Sequence, residues 1–317
     1  MYQPGHYLRK TTALLERTLD RLRVVRSSAA YDVIFIYREA YAIGAPFFER
    51  HLARLGLPIV YDFDDAVYLP NSSEANRVIG FLKNPGKIPE ILRLSAHVVA
   101  GNSYLADYAK RYARNVHMVP TCVDTTVWKP RATERADGPP IIGWIGTPTT
   151  TPYLMGLQDV LTDLARSHRF VLRVSGSVRP VEMPGVQIEN VEWTLEAEVD
   201  LFNTCDIGIY PLPDDDWTRG KCGFKAIQFM ASGLPVVAAP VGVNQDIVEH
   251  GVTGFLARRR QEWIDALSTL IESESLRRRI GTAGRTVVEE RYSLGVTAPK
   301  LAQIFESATG SARRLAS

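Results

Sequence analysis

The sequence has few cysteines, no long apolar run and little net charge. Its three cysteines, Cys122, Cys205 and Cys222, include no CxxC pair, which argues against a disulfide framework or a zinc site and fits a reducing compartment. No stretch approaches about 18 consecutive apolar residues, so neither a membrane span nor a signal peptide is predicted. The net charge of +2 gives no reason to expect nucleic-acid binding. The six histidines lack metal-ligand spacing, and we expect a cytosolic protein without a bound metal.

The chain length and the pattern of apolar runs indicate two domains. With 317 residues the chain exceeds the size that one hydrophobic core usually serves. Apolar, β-branched runs typical of parallel strands alternate with helical patterns, and a charged, turn-rich stretch at 129–140 resembles an interdomain linker. We predict an α/β fold with domains at 1–134 and 135–317. Strands are predicted at 31–37, 58–63, 97–102, 115–121, 141–146, 170–176, 186–193, 206–212, 235–241 and 253–257.

Helical patterns fill the intervals between these strands. They include segments at 45–55 and 104–112, and a helix opened by Pro152. Thr194 is predicted to cap a further helix that carries Glu196 in its first turn. The tail, 262–307, is predicted to be helical with no further strand.

The first thirty residues form a basic amphipathic segment. It has six Lys or Arg residues against Glu16 and Asp20, and leucines recur at helical spacing. Such a helix can lie on an anionic membrane surface, which would place the protein at the inner face of the membrane. It can equally pack on a sheet with its charges in water.

The segment 220–254 has the pattern of a loop, a helix, a glycine stop, a buried strand and a second helix. If the first helix begins near Lys221, then Lys221, Lys225 and Gln228 lie within roughly 60° of one another, opposite the apolar positions. Loop glycines, a helix N-terminus and lysine charge together favour a phosphate or diphosphate site. The alternative is a solvated basic face. The glycines at 220 and 223 favour the ligand site over this alternative.

A second group of polar residues follows strands of the first domain. Asp62, Asp64 and Asp65 lie at the carboxyl end of the second predicted strand, where α/β sheets bind ligands. Arg38 and Glu39 end the preceding strand and are candidates to line the same cleft. The carboxylates can act as a general base, orient an acceptor hydroxyl, hold a cation or cap a helix. We take the acceptor-side role as the working hypothesis.

The motifs that follow Gly223 carry a family resemblance. They are 230–237 (MASGLPVV), 240–242 (PVG) and 247–256 (IVEHGVTGFL). Over 141–307 the sequence resembles the donor half of retaining glycosyltransferases of family four, which have the GT-B fold. More weakly, 95–105 (SAHVVAGNSYL) resembles a late segment of the first domain of these enzymes.

The resemblance implies two Rossmann-like, doubly wound parallel-sheet domains that face a cleft. In that family the C-terminal domain holds a nucleotide-diphosphate sugar, the N-terminal domain holds the acceptor, and no metal or other cofactor takes part. The incoming hydroxyl is thought to attack the face from which the diphosphate leaves, so the protein positions substrates and stabilises the leaving group. The implied reaction is transfer of a hexosyl group, with retention, to a saccharide or lipid-linked acceptor.

The family's paired Glu motif has no acidic counterpart in this sequence. The Glu that contacts the donor sugar falls on Gly220, and the Glu that binds the ribose falls on Gln228, which can still donate and accept. Lys221 and Lys225 are the natural replacements for basic residues that the family places after the first strand of this domain. The catalytic candidates are therefore Asp64, Asp65, Lys221 and Lys225, and the donor-binding candidates are Gly146, Thr147, Trp193, Thr194, Gly223, Phe224 and Gln228.

Trp193 and the acidic run 214–216 have alternative roles, and Asp64 departs from the family pattern. Trp193 stacks on the nucleotide base or is a buried structural residue. The acidic run 214–216 orients the lysines, binds sugar hydroxyls, or is a solvated turn. Asp64 takes the place of a His that the family often has at this point.

The first domain has fewer predicted strands than the family usually shows. Only four precede the linker, and we infer that an opening βαβ-type portion of about 50 residues is missing. Either the chain is natively short, or its start lies downstream of the true one. If the portion is absent from the working protein, the sheet has an exposed edge that another chain could cover.

Two other functions fit parts of the sequence. A catalytically impaired nucleotide-sugar-binding subunit fits the missing Glu residues and the short first half. A sugar-nucleotide epimerase of the same fold would need further cleft acids and histidines, which we do not find.

Overall fold

The computed structural model describes residues 7–41, 43–70, 84–131 and 138–316. The chain divides into two compact units. Unit 1 consists of Met1–Pro120 together with Pro299–Ser317, and unit 2 consists of Thr121–Ala298.

Unit 1 contains a parallel sheet of four strands in its described residues. Strands β1 (Ile34–Tyr37), β2 (Ile59–Phe63), β3 (His97–Ala100) and β4 (Val116–Met118) lie in that order, each pairing in parallel with the next. The helices before and between them are α1 (Tyr7–Ser27), α2 (Phe47–Arg54), α3 (Ile88–Leu94) and α4 (Ser103–Lys110), with 3₁₀ turns at Ser28–Ala30 and Pro85–Lys87.

Unit 2 contains a parallel sheet of six strands in its described residues. The strands are β5 (Ile141–Ile145), β6 (Val171–Ser175), β7 (Ile188–Val191), β8 (Ile207–Tyr210), β9 (Val236–Ala238) and β10 (Phe255–Leu256). The helices are α5 (Thr151–Met155), α6 (Gln158–Ser167), α7 (Glu198–Asn203), α8 (Asp216–Arg219), α9 (Phe224–Ala231), α10 (Asn244–Ile247), α11 (Arg260–Glu272), α12 (Glu274–Arg291) and α13 (Leu294–Ala316), the last of which continues into unit 1.

The strand order of unit 2 identifies its ligand-binding edge. Across the sheet the order is β10-β9-β8-β5-β6-β7, all parallel, which is the order of a Rossmann domain. The direction of winding reverses between β5 and β8. Ligands of such sheets bind beyond the carboxyl ends of the strands at this switch point. The loops after β5 and β8 are therefore the place to look for a site.

Helix α9 packs closely on the centre of this sheet. The ring of Phe229 is fully buried against β8, where a Cβ atom on Gly208 would lie 2.3 Å from its Cγ. Ala226, Ile227 and Met230, on the same helix, are also fully buried. This close packing fixes α9 against β8 and sets where its N-terminus meets the carboxyl edge.

The predicted Rossmann-like, parallel-sheet fold is confirmed. All ten predicted strands are present, shortened at their ends by one to four residues. Helices occur at the predicted 45–55, 104–112 and Pro152 positions, and the tail consists of the three helices α11, α12 and α13. The predicted cap at Thr194 is wrong, because α7 begins only at Glu198. Thr194 instead accepts a hydrogen bond from the backbone N–H of Ala197, which closes the turn before the helix.

The compact units differ from the predicted domains at both ends. Residues after Pro120 group with unit 2, where the Arg131 guanidinium lies 2.9 Å from Oδ1 of Asp206. The C-terminal part of α13 groups with unit 1, because Ile304 and Ala308 pack on its sheet. Part of the predicted linker, 132–137, lies outside the described residues.

The basic N-terminal segment forms α1. Among its described side chains, some are buried and others are exposed. Val25 is buried, whereas Leu19 and Val24 are more than half exposed. Residues 1–6 of the segment lie outside the described part of the chain. Among the described helices, none combines the length and apolar character needed to cross a membrane. Contact with a membrane surface remains a prediction.

Candidate functional site

The loop after β5 is compact and tied together by its own polar groups. The N–H of Gly146 donates to the carbonyl of Ser175, at 3.0 Å, so the turn stays attached to β6. The N–H of Thr147 donates to the hydroxyl of Thr150 at 2.9 Å. Thr147 is exposed and the turn has no charged side chain, as the sequence predicted. Gly146 and Thr147 therefore lie at the switch point where a ligand is expected.

Helix α9 begins later than predicted. Its N-cap is Gly223, which has φ +70°, a left-handed conformation that favours glycine. A Cβ atom at this position would also lie 2.2 Å from Cδ1 of Ile247. Lys221 consequently lies in the preceding loop, and the predicted stripe of Lys221, Lys225 and Gln228 along one helix is wrong. Lys221 lies in the loop between α8 and α9, with its Nζ 5.8 Å from the ring centroid of Trp217.

Lys225 and Gln228 belong to a buried cluster with a residue that the sequence did not single out. The ammonium of Lys225 lies 3.0 Å from Oε1 of Glu198, at the start of α7, and donates to Oε1 of Gln228 at 2.7 Å. Gln228 has no exposed surface. Burial lowers the pKa of Lys225, while the charge and hydrogen bond of Glu198 oppose that shift. The cluster thus holds a buried ammonium against a carboxylate.

The acidic run 214–216 forms the start of helix α8. Asp215 caps it by accepting from the N–H of Thr218 at 2.7 Å. The Arg219 guanidinium lies 2.7 Å from Asp214 and 3.3 Å from Asp216. The three carboxylates thus cap α8 or pair with Arg219. Of the alternatives predicted for this run, the solvated turn is the closest to what is observed.

The segment after β7 is exposed at the same edge of the sheet. Trp193 is 42% exposed, so the alternative of a buried structural tryptophan is wrong. Phe224, the first residue of α9, is 40% exposed. Both aromatic side chains are partly exposed, and the ammonium of Lys225 lies 5.6 Å from the ring centroid of Phe224. The hydroxyl of Thr194 is already engaged in its local turn.

In unit 1 a single arginine joins two of the predicted carboxylates. Nε of Arg38 donates to Oδ1 of Asp64 at 2.7 Å, and Nη2 donates to Oδ2 of Asp65 at 2.6 Å. The hydroxyl of Tyr37 donates to Oδ2 of Asp64 at 2.8 Å. Arg38 has φ +60°, unusual for a residue with a side chain, and its N–H donates to the carbonyl of Asp62 at 2.7 Å. The ends of β1 and β2 are therefore locked together.

The remaining two acceptor-side candidates have different environments. Burial, followed by the charge of Asp64, raises the pKa of Asp62 to about 6. Glu39 lies 2.8 Å from the ammonium of Lys87, whose side chain is almost completely buried and also donates to the carbonyl of Tyr41. Glu39 is thus part of an ion pair that fixes the loop after β1.

The structure brings the candidates together in two separate groups. Arg38, Asp62, Asp64 and Asp65 meet in unit 1, and Lys225 and Gln228 meet Glu198 in unit 2. No group of His, Cys, Asp and Glu side chains in the described part of the chain could hold a metal ion. His97 and His117 pair with each other, with Nδ1 of the first 2.9 Å from Nε2 of the second.

Comparison with known proteins identifies the second half of the chain. Residues 139–273 match the sequence model of the family Glycosyl transferases group 1. Over this stretch the chain is similar to a glycosyl transferases group 1 domain. A D-inositol 3-phosphate glycosyltransferase of Thermobispora bispora is 26% identical over 170 residues. That match covers 53% of this chain and 35% of the relative, so the chain spans about a third of the relative's length.

Solved structures are similar over nearly the whole chain. Sucrose-phosphate synthase from Thermosynechococcus elongatus is 16% identical with a TM-score of 0.69, covering 98% of this chain and 82% of that one. Anabaena HepE, solved in complex with UDP-glucose, is 17% identical with a TM-score of 0.63, covering 90% and 82%. At these identities the similarity shows the fold, which is that of GT-B glycosyltransferases.

Two candidate site residues, one in each unit, were not predicted from the sequence. Glu198 is 27 positions from Lys225 in sequence, and only the packing of α7 near α9 brings them together. Tyr37 alternates with buried residues on β1 and looked like an ordinary strand residue. Its position directly before Arg38, at the end of a strand, is the one sequence feature that could have found it.

Proposed function

We propose that the protein transfers a hexosyl group from a nucleotide-diphosphate sugar to a hydroxyl of a saccharide or lipid-linked acceptor, with retention of anomeric configuration. The observation that carries the proposal is the match of 139–273 to the glycosyl transferases group 1 family. It is supported by the Rossmann strand order of unit 2 and by the chemistry at its carboxyl edge. The relative from Thermobispora bispora is named a glycosyltransferase, and HepE was solved with UDP-glucose.

The diphosphate is assigned to the N-terminus of α9 and the loop before it. The left-handed Gly223 opens the helix, so the first N–H groups of α9 have no partner within the helix and point to the carboxyl edge. Lys221 contributes a cation from the loop, and Lys225 contributes a second one from the helix. Both charges stabilise the diphosphate as it leaves, which is where negative charge develops in this reaction.

The nucleoside is assigned to the neighbouring loops. Trp193 offers an exposed aromatic face for the base, next to Thr194, and Gly146 with Thr147 lines the switch point. The ribose is assigned to the cluster that contains Gln228.

The acceptor is assigned to unit 1. Asp64 and Asp65 are held by Arg38 at the ends of β1 and β2, and they can orient an incoming hydroxyl without leaving their positions. Asp62, whose pKa is raised to about 6, is the one carboxylate of the group suited to exchange a proton near neutral pH.

A transfer assay tests the proposal. Purified protein is incubated with UDP-, GDP-, ADP- and dTDP-sugars and a panel of glycoside and lipid-linked acceptors, with products detected by mass spectrometry. One donor should give a product with the anomeric configuration of the donor, measured by proton NMR. Lys221→Ala and Lys225→Ala should each reduce turnover by about 100-fold or more, the effect of removing one charged stabiliser. Lys129→Ala, which changes an exposed lysine of unit 2, is the control.

A second function is favoured by one observation. The charge of Lys225 is already balanced by Glu198, and positions 220 and 228 lack the family's carboxylates. A nucleotide-sugar-binding subunit without catalysis fits these features. It predicts measurable nucleotide-diphosphate binding by calorimetry, with neither transfer nor donor hydrolysis in the assay above.

A further inference from the structure

The buried cluster at the start of α7 uses only one oxygen of its carboxylate. Oε1 of Glu198 accepts from Nζ of Lys225 at 3.0 Å and from Nε2 of Gln228 at 3.4 Å. Nζ of Lys225 also donates to Oε1 of Gln228 at 2.7 Å. The three side chains thus form a closed set of contacts around one carboxylate oxygen.

The other oxygen, Oε2 of Glu198, has no hydrogen-bond partner among the residues that the structure describes. The Glu198 side chain is 16% exposed, so one part of it reaches solvent while the rest is enclosed. A carboxylate oxygen that is fixed in position and open on one side is a strong acceptor for a ligand hydroxyl, because the hydrogen bond is charge-assisted.

The other two members of the cluster are less suited to accept from a ribose hydroxyl. Gln228 has no exposed surface, and both ends of its amide are engaged by Lys225 and Glu198. The ammonium of Lys225 already donates to two oxygens. Lys225 has 21% of its side chain exposed, but its ammonium has no acceptor atom. Glu198 is therefore the member that can accept from a ligand hydroxyl, and the other two fix its orientation.

The location of Glu198 selects the kind of hydroxyl. It begins the helix that follows β7, five residues after the exposed Trp193 at the carboxyl edge. In Rossmann domains an acidic side chain at this edge commonly accepts from a ribose hydroxyl. The ribose adjoins the base, which is assigned to Trp193.

We propose that Oε2 of Glu198 accepts a hydrogen bond from a ribose hydroxyl of the nucleotide, and that Lys225 and Gln228 act as positioning residues for it. This inference rests on the proposed function, since it requires a nucleotide in unit 2. The family resemblance assigns the ribose to Gln228 on α9, whereas this inference assigns it to the carboxylate of Glu198 on α7.

The test compares nucleotides that differ only in the ribose. Dissociation constants of UDP, GDP and ADP are measured by calorimetry, together with those of their 2′-deoxy and 3′-deoxy forms. Wild type should bind at least one ribonucleotide about 10- to 100-fold more tightly than one of its deoxy forms, the effect of a charge-assisted hydrogen bond.

Glu198→Gln should reduce this ratio to less than about threefold. The ammonium of Lys225 takes the new amide oxygen, so that an NH₂ group instead of an acceptor faces the ribose. Because this variant leaves Lys225 buried without a counter-charge, the double variant Glu198→Gln, Lys225→Gln is measured as well. It removes both charges, and it should show the same loss of discrimination in a folded protein. Glu196→Gln, an exposed residue two positions away, should keep the wild-type ratio.

The outcomes separate this inference from the function on which it rests. Binding of ribonucleotides with an unchanged ratio in both Glu198 variants overturns the inference and leaves the proposed function intact. The same holds if the variants weaken only nucleotide sugars, such as UDP-glucose, and not the free diphosphates, because Glu198 would then contact the hexose. If no nucleotide diphosphate binds to wild type, the proposed function itself fails.

Discussion

Nζ of Lys225 lies 3.0 Å from Oε1 of Glu198, which joins helices α9 and α7 across 27 positions of sequence. Both side chains are largely enclosed, with 21% and 16% of their surfaces exposed. A pair in this environment loses much of its hydration, and its energy depends on both partners being present.

Removing one partner of this pair should destabilise unit 2 more than removing both. Glu198→Gln leaves a buried ammonium without its counter-charge and should lower the free energy of unfolding by about 3 kcal/mol. The double variant Glu198→Gln, Lys225→Gln should lose less than Glu198→Gln alone. Urea unfolding of Glu198→Gln, Lys225→Gln and the double variant gives the coupling free energy between the two side chains. Additive losses would show that the pair makes no energetic contribution.

Gly223→Ala should destabilise the protein by more than backbone strain alone accounts for. A non-glycine residue at φ +70° costs about 1 kcal/mol, and the new Cβ atom would press on Cδ1 of Ile247. Gly185 is the matched control, because it has φ +74° and no atom within 4 Å of its Cβ position. Gly223→Ala should exceed Gly185→Ala by about 1 kcal/mol or more in urea unfolding, and it should also weaken nucleotide-diphosphate binding. Equal losses would show that the contact with Ile247 relaxes freely.

The pKa of Asp62 predicts a pH-dependent stability difference. Its folded pKa of about 6 lies above the ordinary aspartate value of 3.8, so the folded state binds the proton more tightly than the unfolded state. The resulting stability is fully present below about pH 4 and is lost as the pH rises through 6. Asp62→Asn should therefore be more stable than wild type near pH 7, by up to about 3 kcal/mol, and equally stable near pH 3. A difference that does not change between these pH values would contradict the shifted pKa.

Arg38→Gln should impair the acceptor side of the reaction. The substitution frees Asp64 and Asp65 from the guanidinium that holds them, so KM for the acceptor should rise by about tenfold or more while KM for the donor stays the same. Arg50→Gln is the control, because Arg50 makes an equally short pair of contacts to Glu90, at an exposed position in the same unit. A rise in donor KM instead would place Arg38 in the donor site.

Much of the fold was accessible from the sequence because its signals are local. Buried parallel strands leave continuous apolar runs, and all ten were found for this reason. The start of α9 was misplaced because nothing in the sequence shows that Gly223 takes a left-handed conformation. In the sequence, a glycine at this position is equally compatible with a loop and with a helix.

The site was predictable where its residues lie at strand ends, and not where it depends on tertiary packing. Asp62, Asp64, Asp65 and Arg38 follow neighbouring parallel strands, so their grouping could be foreseen. Glu198 could not be, because its partners lie on another helix and no motif surrounds it.

The central claim is that unit 2 binds a nucleotide diphosphate at the N-terminus of α9, and calorimetry tests it most directly. UDP, GDP and ADP are titrated into wild type and Lys221→Ala, and the matching nucleosides are titrated in parallel. We predict that one diphosphate binds wild type much more tightly than its nucleoside does. Lys221→Ala should weaken that diphosphate by about tenfold or more and leave the nucleoside unaffected. A diphosphate that binds no better than its nucleoside, or that binds Lys221→Ala as tightly as wild type, would contradict the account.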